Sequence, residues 1–525
     1  MRARACGYHS IMKPVLRPLG DARFSARAKR VLAALALLFA SPAMIAPAGL
    51  HAQNLPNLGG SDSEELSPLM ERRLGEQVMN NIRRDPDYID DLAVLDYLNL
   101  LGGTLLGSSP EARGDAGYDF FFFAVRDPSL NAFALPGGFI GAHSGLVLAA
   151  QSESELASVM AHEIGHVSQR HIARMIGNQR QDSLLPMAGL LLAALAMRSS
   201  PDLSAAAMMG GTGLAAQRQL SFGRDAEREA DRVGLQILRN TGFELNGMVS
   251  FFGRLQSASR NRSDNLPSYL RTHPMTGERM ADIEARIRNL PYKQHVDSLD
   301  FALIRSRLRV LQDDTPQGWR DATQIFDEQM RQGTRVQVLA AKFGLAMIAQ
   351  RQRDLPRAKS LVADIRADAS RPPALPASQA LASFFVEQSL ASDQPQQALT
   401  MAREARAQFP LSRALAMQYA DALLVSGKKE EATAFLRDQA QLYRQDARVQ
   451  RALARAYAEQ GKIALQHMTL AEYYSLTGAL PSALEQLRLA RGASDASFYD
   501  QAMIDARERE LQMSWSEMME KSKKR

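Results

Sequence analysis

Residues 152–168 read SESELASVMAHEIGHVS, and the fold turns on how this stretch is read. Ser152 with Glu155 three residues later is a helix-starting capping pair, and Leu156, Val159, Met160, Ile164 and Val167 recur at helical spacing. The stretch predicts one helix with an apolar stripe, and His162-Glu163-Ile164-Gly165-His166 lies inside it. Residues four apart share a helix face, so both imidazoles can reach one zinc ion at about 2.0–2.1 Å, with Glu163 beside the open coordination position. Such a five-residue pattern also arises by chance, so a third ligand has to be sought elsewhere.

Arg224-Asp225-Ala226-Glu227-Arg228-Glu229-Ala230-Asp231 supplies one. On a helix Glu227 and Asp231 sit one turn apart and Glu229 points to another face, which suits Glu227 as ligand and Asp231 as its supporting partner. The competing reading is a solvated run of charge, but Leu220, Phe222, Val233, Leu235 and Ile237 make a poor fully exposed helix. Three protein ligands leave one position for water, whose pKa a zinc ion lowers to about 7. Glu163 can take its proton and pass it to a leaving amine, which is peptide-bond hydrolysis.

Around these motifs, residues 53–300 mix strand-like segments (118–125 and 132–135), glycine turns and helices, an α+β pattern. Beyond about 302 glycine thins and helix-period apolar spacing recurs to the end. Ala398, Ala402, Ala405 and Pro410 have the spacing of the second helix of a tetratricopeptide repeat, and Ala432 follows Ala398 by the 34-residue length of that repeat. Ala483, Leu487 and Ala490, with Tyr474 before them, repeat the pattern, and Phe343-Gly344-Leu345-Ala346 with Ala358 is a degenerate copy. The expectation is an all-α tetratricopeptide-repeat solenoid over 301–525, with a generic alanine-rich bundle as the competing reading. A solenoid's concave face serves binding.

With these residues in view, the sequence resembles the membrane-associated and periplasmic zinc endopeptidases typified by HtpX and the CAAX prenyl proteases. The likeness rests on His162-Glu163-x-x-His166, Glu227-x-Glu229-Ala230-Asp231, the segment Asn131-Ala132-Phe133-Ala134-Leu135-Pro136-Gly137-Gly138, and His273-Pro274 with Arg279. It implies a zincin-like α+β metallopeptidase domain with one zinc ion per chain held by His162, His166 and Glu227. It further implies Glu163 as catalytic acid/base and Asp231 as an acid assisting near the transition state. Family members with a signal peptide and C-terminal repeats imply work in the periplasm on unfolded or misassembled outer-membrane β-barrel proteins, in contact with the β-barrel assembly machinery. From the residues, Asn131, Ala132 and Phe133 begin a strand that could hold substrate backbone by strand addition. A non-proteolytic repeat scaffold or chaperone with a silenced or structural zinc site is the rival reading.

The 525 residues are 46% hydrophobic, which suits roughly two to four packed domains and excludes a mainly disordered chain. The net charge of +6 sits in the leader: residues 1–52 hold eight basic residues against Asp21, and the remainder holds 55 against 56. The basic balance therefore gives no reason to expect nucleic acid. Lys29-Arg30, an apolar run from Val31 to Ala40 and small residues up to Ala52 form a secretory signal over 1–52, with Met12 as an alternative start and an uncleaved anchor as the competing reading. Cys6, the one cysteine, belongs to this leader, so a cleaved chain has no disulfide, thiolate ligand or cysteine nucleophile.

His171 falls off the ligand face by helical period and reads as surface or packing; His143, His295 and His467 carry no assigned role. The apolar stretch from Leu184 to Met197, with Ala205 to Leu214, reads as a flap over the cleft, with core packing or peripheral membrane contact as alternatives; it is too short to span a bilayer of about 30 Å. His273 before Pro274 is predicted in a loop. It is a candidate regulatory ligand that closes the metal site until client binding opens it, the competing reading being a loop histidine hydrogen-bonded near the cleft.

Overall fold

In the computed structural model the described residues are 66–108, 110–177, 223–260, 268–392 and 394–523. The leader, its cleavage site after Ala52, Cys6, Leu220, Phe222 and the Leu184 to Met197 and Ala205 to Leu214 stretches lie outside them. From Glu64 onward the chain is one compact unit. Among the described residues no helix is long and apolar enough to cross a membrane.

The first part contains α1 (Pro68–Ile82), α2 (Leu92–Leu106), α3 (Pro110–Arg113), β1 (Phe121–Val125), β2 (Ala132–Leu135), β3 (Phe139–His143), α4 (Ser144–Ala149), α5 (Glu153–Ser168) and α6 (His171–Gly177). It continues with α7 (Arg224–Thr241), α8 (Asn246–Arg260), α9 (Ser268–Thr272) and α10 (Gly277–Ile287). The three strands run in the order β1-β3-β2, with β1 parallel and β2 antiparallel to the central β3. The outer side of β1 is closed by side chain and loop. Asn99 exchanges both amide bonds with Phe122 (2.7 and 3.0 Å), and the Ile89 N–H donates to Ala124 O at 3.1 Å. The second predicted strand is found over the expected residues, while the first begins at Phe121 rather than Tyr118.

Helix α5 begins where the capping pair predicts. Ser152 Oγ accepts the Glu155 N–H at 3.2 Å, but the Glu155 carboxylate reaches the Gln151 N–H at 2.7 Å and pairs with Arg254, so the box is not reciprocal. Every residue from Glu153 to Ser168 is buried. The apolar stripe thus accounts for only part of the helix surface, since α7, α8, α2 and the sheet cover the rest.

From Leu299 the chain is helical: α11 (Leu299–Gln312), α12 (Pro316–Gln332), α13 (Arg335–Arg351), α14 (Leu355–Ser370), α15 (Gln379–Ala391), α16 (Pro395–Gln408) and α17 (Arg413–Val425). Then follow α18 (Lys429–Leu442), α19 (Ala447–Glu459), α20 (Ile463–Leu476), α21 (Leu480–Arg491) and α22 (Phe498–Lys523). Helices α15, α17 and α19 start 34 residues apart, as do α16, α18 and α20. Ala398, Ala402, Ala405, Ala432, Ala483, Leu487 and Ala490 are all buried, the small residues allowing close approach within each hairpin.

The repeats do not stand apart from the α+β part. One hydrophobic core runs from Leu66 to Phe384 and includes Leu98 of α2, Ile164 of α5, Phe301 of α11 and Phe343 of α13. Carboxylates join the two parts at helix N-termini. Buried Asp96 of α2 accepts from Ser412 Oγ (2.7 Å) and the Ala414 N–H (3.0 Å) at the start of α17. Within the helical part, Asp300 of α11 likewise accepts the Ala380 N–H (3.0 Å) at the start of α15. Asp91, the N-cap of α2, pairs with Arg307 at 2.8 Å, and Arg307 also reaches Glu387 at 3.2 Å.

Candidate metal centre

Helices α5 and α7 cross closely enough to bring two separate motifs together, and two glycines permit it. A Cβ on Gly165 would lie 2.9 Å from Ala230 O, and one on Gly234 would lie 3.2 Å from His162 N. His162 and His166 come from α5, Glu227 and Asp231 from α7, and His273 from the bend immediately after α9. All five are buried to 2% exposure or less.

His162, His166, Glu227 and His273 each place one ligand atom within 4.8 Å of the others. The Nε2 atoms of His162 and His166 are 3.0 Å apart, and each lies 3.5 Å from an oxygen of Glu227. His273 Nδ1 is 3.0 Å from Glu227 Oε1. Tetrahedral bonds of about 2.0–2.1 Å put neighbouring donors about 3.3 Å apart, so three imidazoles and one carboxylate fit a divalent cation of zinc's preference. Glu163 fits the same picture. Its carboxylate is fully buried and accepts no hydrogen bond among the described residues, with His273 Nε2 3.5 Å from one oxygen.

A second layer orients these groups. His162 Nδ1 lies 2.9 Å from Asp231 Oδ1, and Arg279 holds Asp231 through two bonds of 2.7 and 2.8 Å. Arg279 also forms an ion pair with Glu227 Oε2 at 2.6 Å and donates to Pro274 O at 2.8 Å. For His171 the packing reading holds and the surface one does not: it is buried, its Nδ1 2.8 Å from His166 Nδ1 and its Nε2 3.1 Å from Glu229 Oε2, so it lies against a candidate ligand histidine rather than away from it. Helical extrapolation fails because α5 ends at Ser168 and Arg170 adopts a left-handed φ of 52°, turning the chain back toward His166. If His166 Nε2 faces a metal, its Nδ1–H donates to His171, whose Nε2–H donates to Glu229.

The electrostatics follow this layout. Burial disfavours a charged His162, but the hydrogen bonds and charges of Asp231 and Glu227 outweigh it and push the imidazole up to about 9. His166, with a neutral ring on its second nitrogen, is held well below the ordinary histidine value, chiefly by burial. Burial alone would raise Glu227 and Asp231, yet His273 and His162 hold Glu227 well down, and His162 and Arg279 hold Asp231 down. The carboxylates are thus ionised inside the protein, as cation ligands must be.

Asn131 is buried just before β2, and the His143 N–H donates to its carbonyl at 2.9 Å. In the antiparallel register Ala132 and Ala134 therefore turn their backbone groups away from β3. His143, given no role from sequence, is buried and fixes the turn before β2 through Ser129 Oγ (2.9 Å) and Asp127 (3.3 Å). Arg279 was visible only as part of a resemblance. Tyr269, one helical turn before His273 and 4.5 Å from it ring to ring, was missed. The four-residue spacing is the signal that would have found it.

Residues 112–287, which contain the whole cluster, match the family described as Peptidase family M48. The chain carries an M48 peptidase domain. Beyond it, residues 389–463 match a tetratricopeptide repeat family. The beta-barrel assembly-enhancing protease of Escherichia coli is 29% identical over 480 residues, 91% of this chain and 96% of that protein. A Vibrio cholerae protein provisionally given that name is 38% identical over 277 residues, so the match spans 52% of this chain and only 56% of the relative. The M48 domain is also similar to a mitochondrial metalloendopeptidase of Schizosaccharomyces pombe, 32% identical over 160 residues, 30% of this chain and 44% of that one.

Proposed function

We propose that the chain is a zinc-dependent endopeptidase of the periplasm, with one ion held by His162, His166 and Glu227, that acts on outer-membrane β-barrel proteins and aids their assembly. The observation that carries the hydrolytic reading is the buried Glu163 carboxylate, unbonded beside four donors at metal-ligand spacing. The assembly role rests on the names of the two bacterial relatives and on the repeats, which recruit unfolded or misassembled clients and the β-barrel assembly machinery. The division of labour follows the expected boundaries: a signal over 1–52, catalysis over 53–300 and client binding over 301–525. The Leu184 to Met197 stretch, read as a flap over the cleft with core packing or peripheral membrane contact as alternatives, lies outside the described residues.

Zinc held here supplies Lewis acidity and brings the pKa of water to about 7. Glu163 takes the proton from the attacking water and delivers it to the leaving amine. Asp231, fixed by Arg279, keeps His162 in the tautomer that presents Nε2, and the segment Asn131, Ala132 and Phe133 aligns substrate backbone by strand pairing. His273 would close the site as a fourth ligand, since it offers a donor atom within 4.8 Å of those of His162, His166 and Glu227.

Glu163→Gln should abolish cleavage of an unstructured protein while zinc and client binding persist. His273→Ala should raise cleavage with zinc retained; a less active His273→Ala protein at full occupancy would make His273 an aid to catalysis instead. The fourth donor also favours a second reading, a scaffold with a silenced metal site. That reading gains if neither the parent chain nor His273→Ala cleaves anything that Glu163→Gln leaves intact.

A further inference from the structure

Tyr269 is fully buried in α9. Its backbone N–H donates to Leu130 O at 3.1 Å, next to Asn131 and the start of β2. Its ring stacks on His273 with centroids 4.5 Å apart and 24° between planes, and lies 6.2 Å from the His162 ring and 6.0 Å from Phe252. Its hydroxyl has no hydrogen-bond partner among the described residues.

An unbonded buried hydroxyl destabilises the fold, and phenylalanine would fill the same volume without that penalty. The oxygen therefore needs a use that the closed structure does not contain. Neighbouring donors are already engaged: Arg279 with Asp231, Glu227 and Pro274 O, and His171 with Glu229. A phenol keeps its proton at neutral pH, so the hydroxyl can act as a donor.

We propose that Tyr269 is a further catalytic residue, whose O–H donates a hydrogen bond to the scissile carbonyl oxygen as that oxygen gains negative charge. The position suits this role on two sides. The backbone of Tyr269 is tied to the segment that aligns the substrate, and its ring lies against the imidazole that must yield when substrate enters. The phenol transfers no proton and forms no covalent bond; it strengthens one hydrogen bond in the transition state, where a preorganised donor acts most.

This inference rests on the peptidase reading, and the experiment separates the two. Tyr269→Phe in the full chain is compared with the parent on a quenched-fluorescent unstructured peptide, with Glu163→Gln as the inactive control. We expect kcat to fall by about 10²-fold or more, the loss typical of removing one such donor, with KM within about twofold and zinc content unchanged. The second measurement needs no metal. In chelator-treated protein Tyr269→Phe should melt no lower than the parent, and by a few degrees higher if the unbonded hydroxyl has its ordinary cost. An unchanged kcat, or a lower melting temperature without metal, overturns the proposal by making the phenol idle or structural. If the parent cleaves nothing that Glu163→Gln does not, the peptidase reading falls and takes this one with it.

Discussion

Replacing Glu227 by glutamine should remove bound metal and activity together, because a neutral amide is a poorer ligand than the carboxylate held ionised by His273 and His162. Glu229→Gln and His171→Phe act through His166 alone and should weaken metal binding by about 10–100-fold. Chelator competition measures both effects, and metal loss from Glu229→Gln with none from Glu227→Gln would reverse the assignment. The contrast also shows what the sequence could reveal. His162, His166, Glu227 and Asp231 were legible because each pair obeys the period of one helix. His171 was not, because a single left-handed residue, Arg170, breaks that period. Tyr269 was readable in principle from its four-residue spacing to His273, whereas Arg279 acts across elements, where spacing along the chain carries no information about distance.

The crossing of α5 and α7 depends on the absence of side chains. Gly165→Ala would force its Cβ to 2.9 Å from Ala230 O, a contact between two backbones that cannot be relieved by rotating a side chain. We expect a loss of about 1–3 kcal/mol in denaturant unfolding, and a metal affinity that falls as α7 carries Glu227 away. A protein of parental stability and affinity would show that the crossing tolerates the shift. Gly165 could be quoted from the sequence but not interpreted, since its partner Ala230 lies 65 positions on. The repeat hairpins were the converse case. Their alanines recur at a fixed length, so the period was readable even though Phe343 and Gly344 depart from it.

Across the whole molecule, the boundary near residue 300 is a change of texture rather than a break in packing, because α2 and α11 serve both parts. The joint has an acid-sensitive component. Burial alone would raise Asp91, but Arg307, through charge and hydrogen bonds, and the Val94 N–H hold it below the ordinary carboxylate value. Its folded-state pKa is therefore lower than the unfolded value near 3.9, so this stabilisation is present above about pH 4–5 and disappears as pH falls through both values. Asp91→Asn should lose about 3 kcal/mol at pH 7 by urea unfolding, since it leaves Arg307 short of a partner, and the gap from the parent should narrow by pH 3. A gap independent of pH would mean that Asp91 acts only as the cap of α2.

Asp96 in turn reaches the Ala414 N–H across 318 residues of chain. At a synthesis rate of about 5–20 residues per second, the acceptor exists for tens of seconds before its donor is made. During that interval α2, which lines the floor of the motif helix, holds a carboxylate meant for burial with nothing to bind. The M48 part is thus completed only after a residue of the repeat part has been made, and the nascent chain passes through that interval with one of its helices still missing its last contact.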